Sequence, residues 1–157
     1  MATAKPQGPS AEEIEERRSA MRLCAEATRT ELAAALQALA PVPAAGDLRR
    51  PETGLVMLRG RAGGDGAAFN LGEASVVRAA IRLEGGGTGF AYHLGRDAAR
   101  ARQAAILDAL WQQPARRQAV EAALAPVAAR LAAEAALAAR QTAATRVNFF
   151  TMVRGED

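Results

Sequence analysis

Between Gly54 and Leu94 the chain drops helical periodicity and takes up alternation, and this switch narrows its possible folds more than any other feature. Gly54-Leu-Val-Met-Leu-Arg-Gly-Arg61 is short and apolar, bounded by Glu-Thr and a Gly-rich stretch, which predicts a strand. Ala62-Gly-Gly-Asp-Gly66 has the permissive backbone of a reversal. From Ala74 to Leu83, Val77, Ala79, Ile81 and Leu83 fall on one face, with Arg78 and Arg82 on the other. Gly85-Gly-Gly-Thr88 reads as a hairpin connection, after which Phe90, Tyr92 and Leu94 share a face opposite Ala91 and His93. The expectation is an antiparallel meander with Arg on its open side and His93 pointing out beside Arg78 and Arg82.

The flanks are helical. Ser10-Ala-Glu-Glu13 is a capping box, in which each residue's side chain can satisfy the other's backbone N–H. The helix it starts carries Ile14, Met21 and Ala25 on one side. Thr28-Arg-Thr-Glu31 repeats the pattern and opens a second helix presenting Leu32, Leu36 and Leu39, ended by Pro41-Val-Pro43. Asp97 is placed to cap a third helix running to about Gln113 and stopped by Pro114, and one or two Ala-rich helices around Pro126 follow from Arg116 to Gln141. The end is unusual: Val147-Asn-Phe-Phe-Thr-Met-Val-Arg-Gly-Glu156 is apolar where chain ends are normally frayed and polar. Such a tail must dock, on this chain's own sheet or in a partner, and it is expected as a final strand. Helices, sheet, helices and one strand make an α+β fold, with a flexible leader at 1–9 and a single domain at 10–157.

Half of the 157 residues are hydrophobic, but Ala dominates and aromatics are 4%, so the core should be strong only around Leu, Val, Ile and Phe. A thin core suggests a subunit completed by a partner. All of the 20 basic residues except Lys5 are Arg, which suits anion contacts and excludes a catalytic amine in the folded domain. One cysteine, Cys24, allows no internal disulfide and fits a reducing compartment. With no apolar leader, and with Arg or Glu breaking each longer apolar run, a cytoplasmic protein without a membrane span is expected. Gly60-Arg-Ala-Gly-Gly-Asp-Gly66 lacks the Lys-Ser/Thr of a phosphate loop and reads as a turn. One His and one Cys make a self-contained transition-metal site improbable. Ser75, His93 and Asp97 can be named as a triad, but no spacing compels it, and an ordinary surface or interface histidine is the favoured reading.

Several blocks in order, G-L-V-M-x-R-G-R, F-N-L-G-E-A-S-V-x-R, L-G-R-D, D-A-L-W-Q-Q and R-V-N-F-F-T-M-V-R-G-E, resemble the PhnG family, small subunits of the bacterial carbon–phosphorus lyase core complex. The resemblance runs from Gly54 to Gly155. It implies a partner of PhnI most directly, and of PhnH, PhnJ and PhnL. That assembly converts ATP and methylphosphonate to α-D-ribose 1-methylphosphonate 5-triphosphate with release of adenine. The resemblance assigns adenine displacement to PhnI, and the iron–sulfur cluster and S-adenosylmethionine to PhnJ. No cofactor, metal or catalytic residue is then expected in this chain, only an architectural part in a transferase. The candidate interface or anion-contacting residues are Arg59, Arg61, Asn70, Glu73, Arg78, His93, Arg96, Phe149, Phe150 and Arg154. Two rivals are a free-standing enzyme using His93 with Asp97 on a phosphorylated substrate, and a small basic RNA-binding module.

Overall fold

In the computed structural model, which describes Gly8 and residues 10–146, both capping boxes close as the sequence dictates. Ser10 Oγ accepts from the Glu13 N–H at 3.1 Å while the Ser10 N–H donates to Glu13 at 3.0 Å, starting α1 (Ala11–Glu26). Thr28 and Glu31 repeat this at 3.2 and 2.7 Å and start α2 (Arg29–Ala38). The strands are β1 (Ala45–Arg61), β2 (Ala68–Leu83) and β3 (Thr88–Leu94), an antiparallel sheet in the order β1-β2-β3. Then come α3 (Ala98–Trp111), capped by Asp97, and α4 (Pro114–Ala144), which Pro114 opens at its first turn. The Ala-rich stretch is thus one helix with Pro126 inside it. The last described element is therefore a helix; the expected terminal strand lies outside the described residues, as does the leader apart from Gly8.

Helix α3 is the hub, touching all three strands and the other three helices. It lies against the sheet face formed by Val77, Ala79, Ile81, Gly89, Ala91 and His93, and this settles the orientation of β3. A Cβ built at Gly89 would fall on the Ala105 carbonyl oxygen and stand 2.7 Å from the Ala109 nitrogen, so helix and strand backbones meet there without an intervening side chain. The small face of β3 turns inward because only Gly and Ala permit that approach. The expectation for His93 is therefore corrected: it is buried, at 3% exposure, on the core side. Phe90, Tyr92 and Leu94 instead share the open face with Arg78 and Arg82.

The core is Ala with Leu, Ile and Val, plus Trp111; the two described Phe, Phe69 and Phe90, are exposed, contrary to the expectation that Phe fills the core. In α1 the buried positions are Ala20 and Cys24, while Ile14 is exposed and Met21 and Ala25 are half-buried. Leu32 and Leu39 of the second helical stretch are buried as expected. α4 is tied to α2 by Arg130, whose Nε donates to Glu31 at 2.7 Å. That hydrogen bond, with the Thr28 backbone N–H, pulls the Glu31 carboxyl down to about 2. One carboxylate therefore caps α2 and anchors α4.

By length and composition alone α4 is apolar enough to cross a bilayer, with a mean hydropathy of 1.4 over 18 residues. The apolar stretch is nevertheless interrupted by Arg130 and Glu134, as the sequence predicts. Its apolarity is largely Ala, and Arg130, near the middle of the helix, bonds Glu31 and Glu134. From Ala132 to Ala144 every residue of α4 is exposed, so its second half projects from the core.

Candidate functional site

Among the described residues the sheet leaves one face uncovered, and the register fixes what it shows. Arg78 stands across from Tyr92, Ala80 from Phe90 and Val76 from Leu94. Phe90, Tyr92 and Leu94 are 51%, 55% and 71% exposed. Beside them Glu52 of β1 takes hydrogen bonds from Arg78 and Arg49, each at 2.7 Å, and the Arg78 bond holds its carboxyl below the usual range. Aromatic and Arg side chains side by side on an open face match the residue types enriched in protein-interface cores.

The third strand ends at Leu94, opposite Val76, but β1 and β2 run on as a two-stranded arm from the Leu55–Ser75 pair to the Arg61–Ala68 pair. Alternation puts Leu55 and Met57 on one face of the arm and Val56 and Leu58 on the other. Leu55 is 61% exposed, and Met57, Leu58, Phe69 and Leu71 are exposed with it. No residue of β1 is buried. A strand apolar on both faces is built to be covered on both faces, and a lone two-stranded ribbon is marginal in water. The Gly60–Gly66 segment closes the arm as a turn, with Arg61 Nη1 donating to the Gly66 carbonyl at 3.0 Å.

The structure groups some of the sequence candidates and separates others. Arg59 and Asn70 are cross-strand partners on the arm, Glu73 pairs with Met57, and Arg61 sits at the tip, all exposed. Arg78 belongs to the open sheet face, and Arg96 donates from its Nε to Ser75 Oγ at 3.3 Å. His93 is separated from all of these by burial. Phe149, Phe150 and Arg154 lie outside the described residues.

The named triad does not form. Asp97 Oδ1 accepts the Arg100 N–H at 2.9 Å as a helix cap, Ser75 takes the bond from Arg96, and among the described residues His93 Nδ1 is buried without a partner. Burial first, then the Arg100 charge, pushes His93 down to about 4, so at neutral pH the ring is uncharged. Burial likewise pushes the Cys24 thiol up to about 12, leaving no thiolate. Among the described residues no group of three or more His, Cys, Asp or Glu side chains converges to hold a metal ion.

Asp108 is the residue that sequence reasoning missed. It is buried in α3, bonded by Arg17 Nε and Nη2 of α1 at 2.9 Å each and by the Phe90 N–H of β3 at 2.8 Å. This carboxylate therefore joins three elements, and it raises the Arg17 pKa further through their hydrogen bonds. The signal was an acid within the apolar run Ile106-Leu-Asp-Ala-Leu-Trp111, which demands a cationic partner wherever that helix is buried.

The phosphonate metabolism protein PhnG family model matches residues 15–155. The alpha-D-ribose 1-methylphosphonate 5-triphosphate synthase subunit PhnG of Rhizobium meliloti (strain 1021) is 56% identical over 144 residues, covering 92% of this chain and 92% of that protein. With its arm motif, its open sheet face and its α3 blocks all inside the matched span, the chain belongs to the PhnG family.

Proposed function

We propose that this chain is an architectural subunit of an α-D-ribose 1-methylphosphonate 5-triphosphate synthase in phosphonate catabolism, working by contact and carrying no bond-breaking group of its own. The observation that carries the reading is the β1–β2 arm, apolar on both faces and largely exposed among the described residues. A relative named as a subunit of that synthase supports it. So does the state of the titratable groups: displacing adenine from ATP requires an acid at the leaving group and charge stabilisation at the ribose, whereas His93 is buried and Asp97 is spent on a helix cap. In this reading PhnI supplies the catalytic centre and receives the arm, while PhnH, PhnJ and PhnL complete the assembly, with the iron–sulfur cluster and S-adenosylmethionine held by PhnJ. The open sheet face and the projecting half of α4 offer further contact area. The setting is cytoplasmic.

The test is co-expression with PhnI followed by size-exclusion chromatography. The parent chain co-elutes with PhnI; Leu55→Glu with Met57→Glu leaves the isolated chain folded, because neither side chain is in its core, and abolishes co-elution. Retained assembly by that variant would remove the arm from the interface. Turnover of ATP and methylphosphonate by the isolated chain would overturn the architectural role itself.

A further inference from the structure

Residues along an antiparallel strand alternately bond the neighbouring strand and turn their backbone groups to the outer edge. The Gly95 N–H donating to the Ser75 carbonyl at 2.8 Å, and the Leu83 N–H to the Gly87 carbonyl at 3.0 Å, set the phase of the β2–β3 ladder. Gly89, Ala91 and His93 therefore bond β2, whereas Thr88, Phe90, Tyr92 and Leu94 direct their N–H and C=O groups outward. Two of these outward groups are met within the fold. The Thr88 carbonyl accepts from Gln112 Nε2 at 2.8 Å, and the Phe90 N–H donates to Asp108 at 2.8 Å. Past that point, among the described residues, no hydrogen bond reaches the outward groups of Tyr92 and Leu94.

A cavity of about 270 Å³ lies between α1 and Phe90 to His93 of β3, where this bare edge begins. Met21, Cys24, Ala25 and Ala91 give it apolar walls, and the exposed Arg18 and Arg22 of α1 line it together with the uncharged His93 and with Asp108, whose charge is met by Arg17. Among the described residues Arg18 meets only Glu15, at 3.4 Å and with both side chains more than 70% exposed, and no ion pair engages Arg22. Because Cys24 is buried and protonated, it serves as wall and not as chemistry.

We propose that this groove takes a short extended segment of a partner polypeptide, added as a fourth strand along Tyr92 and Leu94, with a carboxylate side chain set against Arg18 and Arg22. An edge of unpaired N–H and C=O groups is a template for a strand. The apolar walls accept its alternate side chains, and the two guanidinium groups choose an acidic segment over a neutral or basic one. Asp108 supports the site by occupying the Phe90 N–H, which ends the free edge there. The inference rests on the subunit reading above, but it names a surface separate from the arm.

The experiment is amide hydrogen exchange on the full chain, alone and in the complex co-purified with the synthase subunits. The Tyr92 and Leu94 amides exchange freely in the isolated chain and slow at least tenfold in the complex. Tyr92→Pro removes an outward donor without touching the β2–β3 ladder, and it weakens assembly about tenfold. Arg18→Glu with Arg22→Glu, at exposed helix positions, does the same without altering the fold. Free exchange of both amides within an intact complex overturns the groove assignment and leaves the subunit reading standing. Protection already present in the isolated chain, and lost on deleting residues 147–157, overturns the partner in favour of the chain's own terminal segment. Failure of any complex to form removes the subunit reading and the groove together.

Discussion

Replacing Asp108 by Ala tests the joint that holds α1, α3 and β3 together. Removing one member of a buried ion pair costs about 3–5 kcal/mol, because the other charge is left without compensation. Arg17 keeps 33% of its side chain in solvent and can turn outward, which moves the cost to the lower end of that range. The Phe90 N–H, which loses the acceptor now 2.8 Å away, stands beside a cavity that water can enter, so its share is also at the low end. The net expectation is a loss of about 3 kcal/mol, a large part of the roughly 5–15 kcal/mol by which domains are stable. Trp111, the single tryptophan, is buried three residues along α3 and bonded to Glu121 at 3.0 Å, so its fluorescence follows urea unfolding. With an m-value of about 1.5 kcal/mol per M, the midpoint falls by about 2 M and the slope is unchanged. Asp108→Asn, which keeps an acceptor for Phe90 but no charge, falls between parent and Ala variant. A shift in the Ala variant worth less than about 1 kcal/mol would show that the carboxylate is not the joint described here.

Two further outcomes follow from the same packing. His93, ordinarily near 6.5 and held at about 4 in the fold, refuses a proton that the unfolded chain accepts. Stability contributed by the neutral ring is thus complete above pH 6.5 and declines as pH falls towards 4, by about 3 kcal/mol in all. Urea midpoints across that window should flatten in His93→Gln; equal slopes in parent and variant would refute the burial argument. The Glu31 contribution, with its folded value near 2, is lost at lower pH and does not overlap most of this window. Gly89→Ala should cost about 3 kcal/mol, the upper end for forcing volume into a packed contact, since the obstructing atoms are α3 backbone and cannot rotate away. An unchanged melting temperature would mean that the helix is free to ride higher on the sheet.

The sequence reading failed where local rules gave way to packing. β1 begins at Ala45 rather than Gly54, passing through Pro51, because an edge strand can turn a missing N–H outward and absorb the irregularity in the register shifts at Asp47/Arg49 and Arg49/Glu52. β2 likewise starts at Ala68, since Phe69 to Glu73 pair across the arm and nowhere else. The candidate residues on the arm were legible as a group through their motifs. The Asp108 joint was not, because its two main partners lie 91 and 18 residues away in the chain.

The sequence by itself determined whatever depends on a few neighbouring residues: the two capping boxes, the Asp97 cap, the Gly-rich reversals, and which side chains of each strand share a face. It also carried the family. Only the tertiary structure decided which of the two β3 faces lies inside. Hydrophobicity favoured Phe90, Tyr92 and Leu94, but α3 had to come within backbone contact of the strand, and Gly89 with Ala91 was the only face thin enough to admit it. The larger side chains were left on the open face.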